Sequence, residues 1–172
     1  MFLAAKNAKK IAMKLDDDCS VKRTWLVWII DILCVAVLIG ITIWVGRCYA
    51  ALPDRIPVHY GATGVIDGYG SKNTIWFLVI SMWANVVILT AVEQFPGLWN
   101  VPVKVTKENQ SRLLTLTWRF VSSTKLIITG IFAYLIIMIV QGVNLSPYFM
   151  LTMLTVLAAN FLYWGIRLFL NR

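Results

Sequence analysis

The chain has 172 residues, 59% of them hydrophobic, and its lysines and arginines exceed its aspartates and glutamates by 8 charges. A mean hydropathy of +0.75 excludes an ordinary soluble domain, and four apolar runs approach or exceed the roughly 20 residues that a membrane-spanning helix needs. Most positive charges stand at the ends of these runs, which is typical of topology signals and argues against nucleic acid as a partner. The sequence therefore predicts an integral protein of the lipid bilayer.

Residues 1–23 precede the first apolar run, and their pattern predicts a basic amphipathic helix on the cytoplasmic membrane surface. A partly ordered cytoplasmic tail is an equally good interpretation. The run Asp16-Asp17-Asp18 lacks the alternating ligands and the glycine of an EF-hand loop, so we interpret it as a solvated charge run. Cys19, Cys34 and Cys48 fall at different depths of the predicted topology, which predicts no intrachain disulfide framework.

The four apolar runs predict four transmembrane helices, with Trp and Tyr residues marking both interfaces of the first. The uncharged link after the third helix is so short that the third and fourth helices must be antiparallel neighbours. The fold class is an all-α membrane protein with an ordered extracytoplasmic loop between helices 1 and 2 and an N-terminal amphipathic helix. The predicted spans are 24–51, 73–95, 112–142 and 147–168; the loops are 52–72 and 96–111, and the tail is 169–172.

Lysine and arginine counts predict the orientation. Six lie in residues 1–23 and five in residues 96–125, but none lies in the link between the third and fourth helices. Because cytoplasmic segments carry an excess of these residues, we expect both termini to be cytoplasmic in a multi-pass protein of the cytoplasmic (inner) membrane. The loop 52–72 is then outside.

The loop 52–72, LPDRIPVHYGATGVIDGYGSK, holds the only histidine of the chain. Its prolines fix φ, its glycines permit backbone angles that other residues avoid, and Asp67-Gly68 is a turn dipeptide. Alternation of apolar and polar residues around Val58 then predicts a small hairpin-like cap.

This loop resembles the signature L-P-D-x-I-P-x-H-x-x-x-x-G-x-x-D-x-x-G-S-K of the SdpI-like family, bacterial integral membrane proteins named for their unknown function. A second segment, 100–109, is similar to the N-x-P-V-K-x-T-x-E-N pattern of that family. Because the family includes the immunity protein against the sporulation-delaying toxin, the resemblance implies toxin immunity or envelope sensing, with a peptide toxin as the partner of the loop. The residues that match are Pro53, Asp54, Ile56, Pro57, His59, Gly64, Asp67, Gly70 and Lys72.

Two alternatives stay open. In the first, the protein is a structural or accessory subunit that packs against another membrane protein or a second copy of itself. In the second, it is a transporter or a metal-dependent enzyme that acts at the outer leaflet. His59, Asp54 and Asp67 are candidate metal ligands, because one imidazole and two carboxylates suit Zn²⁺. The lone histidine and the lack of a catalytic motif favour a non-enzymatic protein without a cofactor. In that case His59, Asp67 and Lys72 form a polar lock that gives the loop one shape.

Several polar residues lie at membrane depth. Asp31 is an expensive group in a span, so we expect it to pair with Lys125 or Arg119 and to fix the first helix against the third. Asn85 and Asn160 are expected to form interhelical hydrogen bonds. Glu93 and Arg167 are close to the cytoplasmic ends of spans, where we expect them to snorkel to the interface without a function.

Overall fold

The computed structural model describes residues 23–96, 99, 101, 103 and 105–171. The predicted N-terminal amphipathic helix, Asp16-Asp17-Asp18 and Cys19 lie outside the described residues, as do positions 100, 102 and 104 of the second motif segment 100–109.

Four helices make up most of the described chain. They are α1 (Trp25–Cys48), α2 (Thr74–Gln94), α3 (Gln110–Gln141) and α4 (Phe149–Leu170). Each is long and apolar enough to cross a membrane, which confirms the predicted four-helix class. A single 3₁₀ turn, Tyr49–Ala51, extends α1.

The two ends of α3 follow from local chemistry. The helix begins two residues before its predicted start, because Thr106 and Asn109 exchange side-chain to backbone hydrogen bonds of 2.7 and 3.3 Å that shape the turn before it. It ends where Gly142 adopts a φ of 67° and its N–H bonds back to Ile139, a common glycine C-cap. The long α3 therefore spans the whole bundle.

Helix α3 lies at the centre of the bundle and contacts α1, α2 and α4. The core shared by α1, α2 and α3 is built of apolar side chains such as Leu38, Met82 and Ile136, which are at most 1% exposed. By contrast, α4 has its main helix contact with α3, and Leu168 is its one buried residue. Most of its apolar surface therefore faces outward, as expected of a helix in contact with lipid.

The loop between α1 and α2 folds as an antiparallel pair of strands, β1 (Arg55–Tyr60) and β2 (Ile66–Ser71). We call the bundle end that carries this hairpin the hairpin end, and the opposite end, where α1 begins and α4 finishes, the terminal end. Two register irregularities flank His59, so Val58 and Asp67 are extra residues, one on each strand. Bulges of this kind re-aim side chains.

Asparagines join α3 to its neighbours. Asn85 of α2 donates to the Thr129 hydroxyl at 3.2 Å. Asn160 of α4 donates to Thr124 at 2.9 Å and accepts from Ser123 at 2.8 Å. The structure thus places both residues in interhelical hydrogen bonds.

Replacement of Asn160 by leucine is expected to weaken the contact between α3 and α4. Two side-chain hydrogen bonds are lost, each worth about 0.6–2 kcal/mol in a membrane protein. The midpoint of thermal unfolding in detergent should fall, whereas Thr155→Leu on the exposed side of α4 should leave it unchanged. Equal midpoints for the two variants would show that these hydrogen bonds do not stabilise the bundle.

Candidate functional site

The base of the hairpin is closed by Asp54 and Lys72. The Lys72 N–H donates to the Asp54 carbonyl at 3.0 Å, and the Lys72 Nζ lies 3.1 Å from the Asp54 carboxylate. The ammonium group also lies 5.7 Å from the centre of the Tyr49 ring, and the Tyr49 hydroxyl donates to Asn73. The hairpin base is therefore tied to the end of α1 and the start of α2.

A second polar pair lies on the hairpin itself. The Nδ1 of His59 is 2.5 Å from Oδ1 of Asp67, so the protonated Nδ1 donates to the carboxylate. The two bulges that flank His59 bring these side chains together across the strands. Lys72 pairs with Asp54 at the base, so the polar lock consists of two separate pairs.

The tip of the hairpin is bound to the link between α3 and α4. The Ile66 N–H donates to the Asn144 side chain at 2.9 Å, and the Leu145 N–H donates to the Gly64 carbonyl at 2.8 Å. The Tyr60 hydroxyl donates to the Val143 carbonyl at 3.4 Å. Burial, assisted by the neighbouring Tyr69 and Tyr134 phenols, raises the pKa of Tyr60, so this donor keeps its proton at neutral pH.

At two glycines of the motif, neighbouring atoms lie so close to the backbone that a side chain would not fit. Gly64 has a φ of +80°, and a Cβ there would lie 2.7 Å from the Leu145 carbonyl oxygen. A Cβ at Gly70 would lie 2.9 Å from the Val58 side chain. The motif glycines therefore let the hairpin close on itself and on the link.

The prolines of the motif differ in their surroundings. Pro53 is exposed before β1, whereas Pro57 is buried within β1 and lies opposite Tyr69. The neighbouring Ile56 is 1% exposed and belongs to the core of the bundle. One face of β1 therefore anchors the hairpin to the helices.

The remaining surface of the hairpin is open. The His59 side chain is 71% exposed, and Val58, Val65 and Tyr69 are 40–53% exposed. The two strands pair only with each other within the described residues, so neither outer edge has a partner strand, although the Ile66 N–H and the Tyr69 carbonyl of β2 bond to the Asn144 and Arg55 side chains. The hairpin thus presents apolar side chains, a polar pair and two outer strand edges on a fixed support.

The candidate metal ligands do not form a triad. Asp67 pairs with His59, but Asp54 lies at the hairpin base with Lys72. In the part of the chain that the structure describes, no three His, Cys, Asp or Glu side chains are grouped to hold a metal ion. The structure therefore does not bring His59, Asp54 and Asp67 together, and a joint metal site on these three residues stays a prediction.

A charge cluster of Arg23, Asp31, Glu93 and Lys125 lies inside the bundle toward the terminal end. The Lys125 Nζ is 2.6 Å from Asp31 and 2.9 Å from Glu93. Arg23 lies 3.2 Å from Asp31 and 2.5 Å from Glu93. Two cations thus match two carboxylates, as buried ionised groups require.

Glu93 and Arg23 are the members that the sequence did not indicate. The interpretation of Glu93 as a snorkelling residue is wrong, because it is 0% exposed and also accepts a hydrogen bond of 2.9 Å from Ser122. Arg119, the other predicted partner of Asp31, forms no ion pair within the described residues, and its buried Nε has no hydrogen-bond partner. The cluster connects α1, α2 and α3 at one level.

The position of Glu93 along its helix is the sequence signal that indicates its place in the charge cluster. Asp31, Glu93 and Lys125 lie about 16–19 residues from the hairpin end of their helices, or ~24–29 Å at 1.5 Å per residue. Charges at equal depth on neighbouring helices are natural partners.

One stretch of the chain is similar to a known protein family. No curated protein and no solved structure matches the chain. Residues 32–82 match the family model described as Domain of unknown function (DUF1648). The part of the chain that forms most of α1, the hairpin and the first half of α2 is therefore similar to that family.

Proposed function

We propose that this protein is a membrane-embedded binding protein that recognises a peptide ligand, such as a peptide toxin, through the open surface of the hairpin. The observation that carries the proposal is that the hairpin is fixed at its base and tip while its apolar and polar side chains stay exposed. A binding surface held in one shape loses little conformational entropy when a ligand docks.

The exposed groups suit a peptide. Val58, Val65 and Tyr69 offer apolar contact, and neither strand has a partner strand on its outer edge within the described residues. An extended peptide can add to such an edge as a further strand, with main-chain hydrogen bonds giving affinity and side chains giving specificity. The resemblance of the motif to SdpI-like proteins supports toxin immunity or envelope sensing as the role.

The proposal requires the hairpin to lie outside the cytoplasm. The lysine and arginine counts support this orientation, because six lie before the first span and none lies in residues 142–147 at the hairpin end. Both chain termini are then in the cytoplasm.

A toxin challenge tests the proposal. Cells that express the wild type are expected to survive the sporulation-delaying toxin, and His59→Ala and Tyr69→Ala should each lower survival at least about fivefold, since an interface anchor contributes about 1 kcal/mol or more. Immunoblots of membrane fractions separate loss of binding from loss of protein. Tyr148→Ala is the matched control, because Tyr148 is an exposed tyrosine at the hairpin end that lies outside the hairpin.

If cells with the hairpin variants survived as well as cells with the wild type, the proposal that the hairpin surface recognises the toxin would be wrong. No protection by the wild type would overturn recognition of this toxin and leave other envelope peptides to be tested in the same cells.

A role as an accessory subunit is the second candidate. A partner would dock on α4 in place of lipid, because the most apolar stretch of α4 contains no buried residue and exposes large side chains such as Leu151, Leu162 and Leu170. Purification in mild detergent would then yield a stoichiometric protein partner, and a charge on this face, such as Leu162→Glu, should release it.

A further inference from the structure

We propose that the terminal end of the α3–α4 pair holds an anionic phospholipid headgroup, bound by Arg112, Arg119 and Arg167. The first observation is the charge balance of these helices. Residues 110–170 contain four cations and no aspartate or glutamate. Lys125 is matched by Asp31 and Glu93, so the three arginines are left without a carboxylate of their own helices.

Two of the arginines are joined at the terminal end. Arg112 of α3 donates to the Asn171 side chain at 3.3 Å, and Asn171 donates to the Arg167 carbonyl at 2.7 Å. Arg112 and Arg167 are both exposed. The start of α3 and the end of α4 are therefore held together at the terminal end, and each carries an exposed arginine.

Arg119 lies deeper and has unused binding capacity. It is half-buried, and its buried Nε has no hydrogen-bond partner. A buried N–H without an acceptor is costly, and a guanidinium at membrane depth more so. Phosphate oxygens are the acceptors that fit a guanidinium best, because they take two parallel N–H bonds.

The arginines continue the stripes that line an apolar groove. On α3 the spacing Arg112, Arg119, Leu126 repeats every seven residues, which places the three side chains on one face. On α4 one face carries three side chains at helical spacing, namely Val156, Tyr163 seven residues later and Arg167 one turn further. Leu126 and Val156 line an open groove of about 440 Å³ between the two helices.

The distances suit one lipid molecule. Gly130, which also lines the groove, is eleven residues from Arg119, or ~16 Å along the helix. Half of a ~30 Å hydrocarbon core is ~15 Å. A phosphate beside Arg119 thus places the ends of the acyl chains in the groove. Basic pockets between transmembrane helices recognise anionic headgroups in this way.

The test uses the full chain in nanodiscs of phosphatidylcholine with one-quarter phosphatidylglycerol. After mild release, native mass spectrometry counts the retained lipids. The wild type is expected to retain phosphatidylglycerol in preference to phosphatidylcholine, and Arg119→Gln should reduce that preference about fivefold, the effect of one basic residue near a lipid surface. Arg112→Gln/Arg119→Gln/Arg167→Gln should abolish it.

Arg47→Gln is the matched control, because Arg47 lies at the other end of the bundle, in the last turn of α1, and its loss should change nothing. An unchanged preference in the triple variant, or an equal loss in the control, would overturn the site. Glu108, four residues before Arg112, and the acidic run Asp16, Asp17 and Asp18 are the carboxylates of the chain that would compete with a lipid for the arginines. If phosphatidylglycerol is retained only after Asp16→Asn/Asp17→Asn/Asp18→Asn, the acidic run and not a lipid occupies the arginines. Thermal midpoints of all variants exclude unfolding as the cause.

Discussion

Replacement of Lys125 by methionine is expected to lower the free energy of unfolding by about 3–5 kcal/mol, the cost of breaking a buried ion pair from one side. The ammonium group contacts both Asp31 and Glu93 and is 0% exposed. Its removal leaves two carboxylates with Arg23 as the only described cation in reach. The net negative charge that results lies inside the bundle, where water cannot solvate it.

The measurement is the thermal midpoint of the purified protein in detergent, together with its level in membranes. Lys125→Met/Glu93→Gln is the informative control, because Arg23 and Asp31 then balance one another and most of the lost stability should return. If the double variant is as unstable as the single one, charge balance is not what the cluster supplies. Stability of Lys125→Met equal to the wild type would contradict the role of the cluster altogether.

Replacement of Gly64 by alanine is expected to detach the tip of the hairpin from the link between α3 and α4. Two costs add: about 1–2 kcal/mol for an L-residue in the left-handed region, and about 1–3 kcal/mol for forcing atoms into a packed contact. The second cost arises because the Cβ would lie 2.7 Å from the Leu145 carbonyl oxygen. The hydrogen bond from the Leu145 N–H to Gly64 should therefore break.

Gly142→Ala separates the two costs. Gly142 also has a positive φ, +67°, but a Cβ there meets nothing within 4 Å. This variant should carry the backbone strain alone and keep the Leu145 amide protected from hydrogen exchange, whereas Gly64→Ala should expose it. Equal protection in the two variants would mean that the contact at Gly64 does not hold the hairpin in place.

The four spans were predictable because apolar length is a strong signal. The pairing of Asp31 with Lys125 was among the two predicted alternatives, since helix rise gives depth and depth selects partners. Glu93 was missed because a lone carboxylate near the end of a span looks solvated until the neighbouring helix is known. Arg23 was missed because it was counted as part of the basic segment before the first span.

The docking of the hairpin could not be predicted. Each of its hydrogen bonds with residues 143–145 has a backbone N–H or carbonyl group on at least one side, and every residue possesses such groups, so the sequence does not indicate which residues meet. The one sequence signal is Gly64, whose need for a positive φ and for close approach is visible only beside Leu145. The same holds for Asp54 and Asp67, because only the strand register decides which carboxylate meets His59 and which meets Lys72.

Hydrogen exchange of the protein in nanodiscs, alone and with the sporulation-delaying toxin peptide, tests most directly the claim that the hairpin is a fixed recognition surface. We expect slow exchange at the bonded amides of Gly61, Ile66 and Lys72 without peptide, and further slowing at the outer edges of the hairpin with it. Exchange of these amides at the rate of an unstructured chain would contradict the fixed hairpin, and protection that the peptide leaves unchanged would contradict recognition of this toxin.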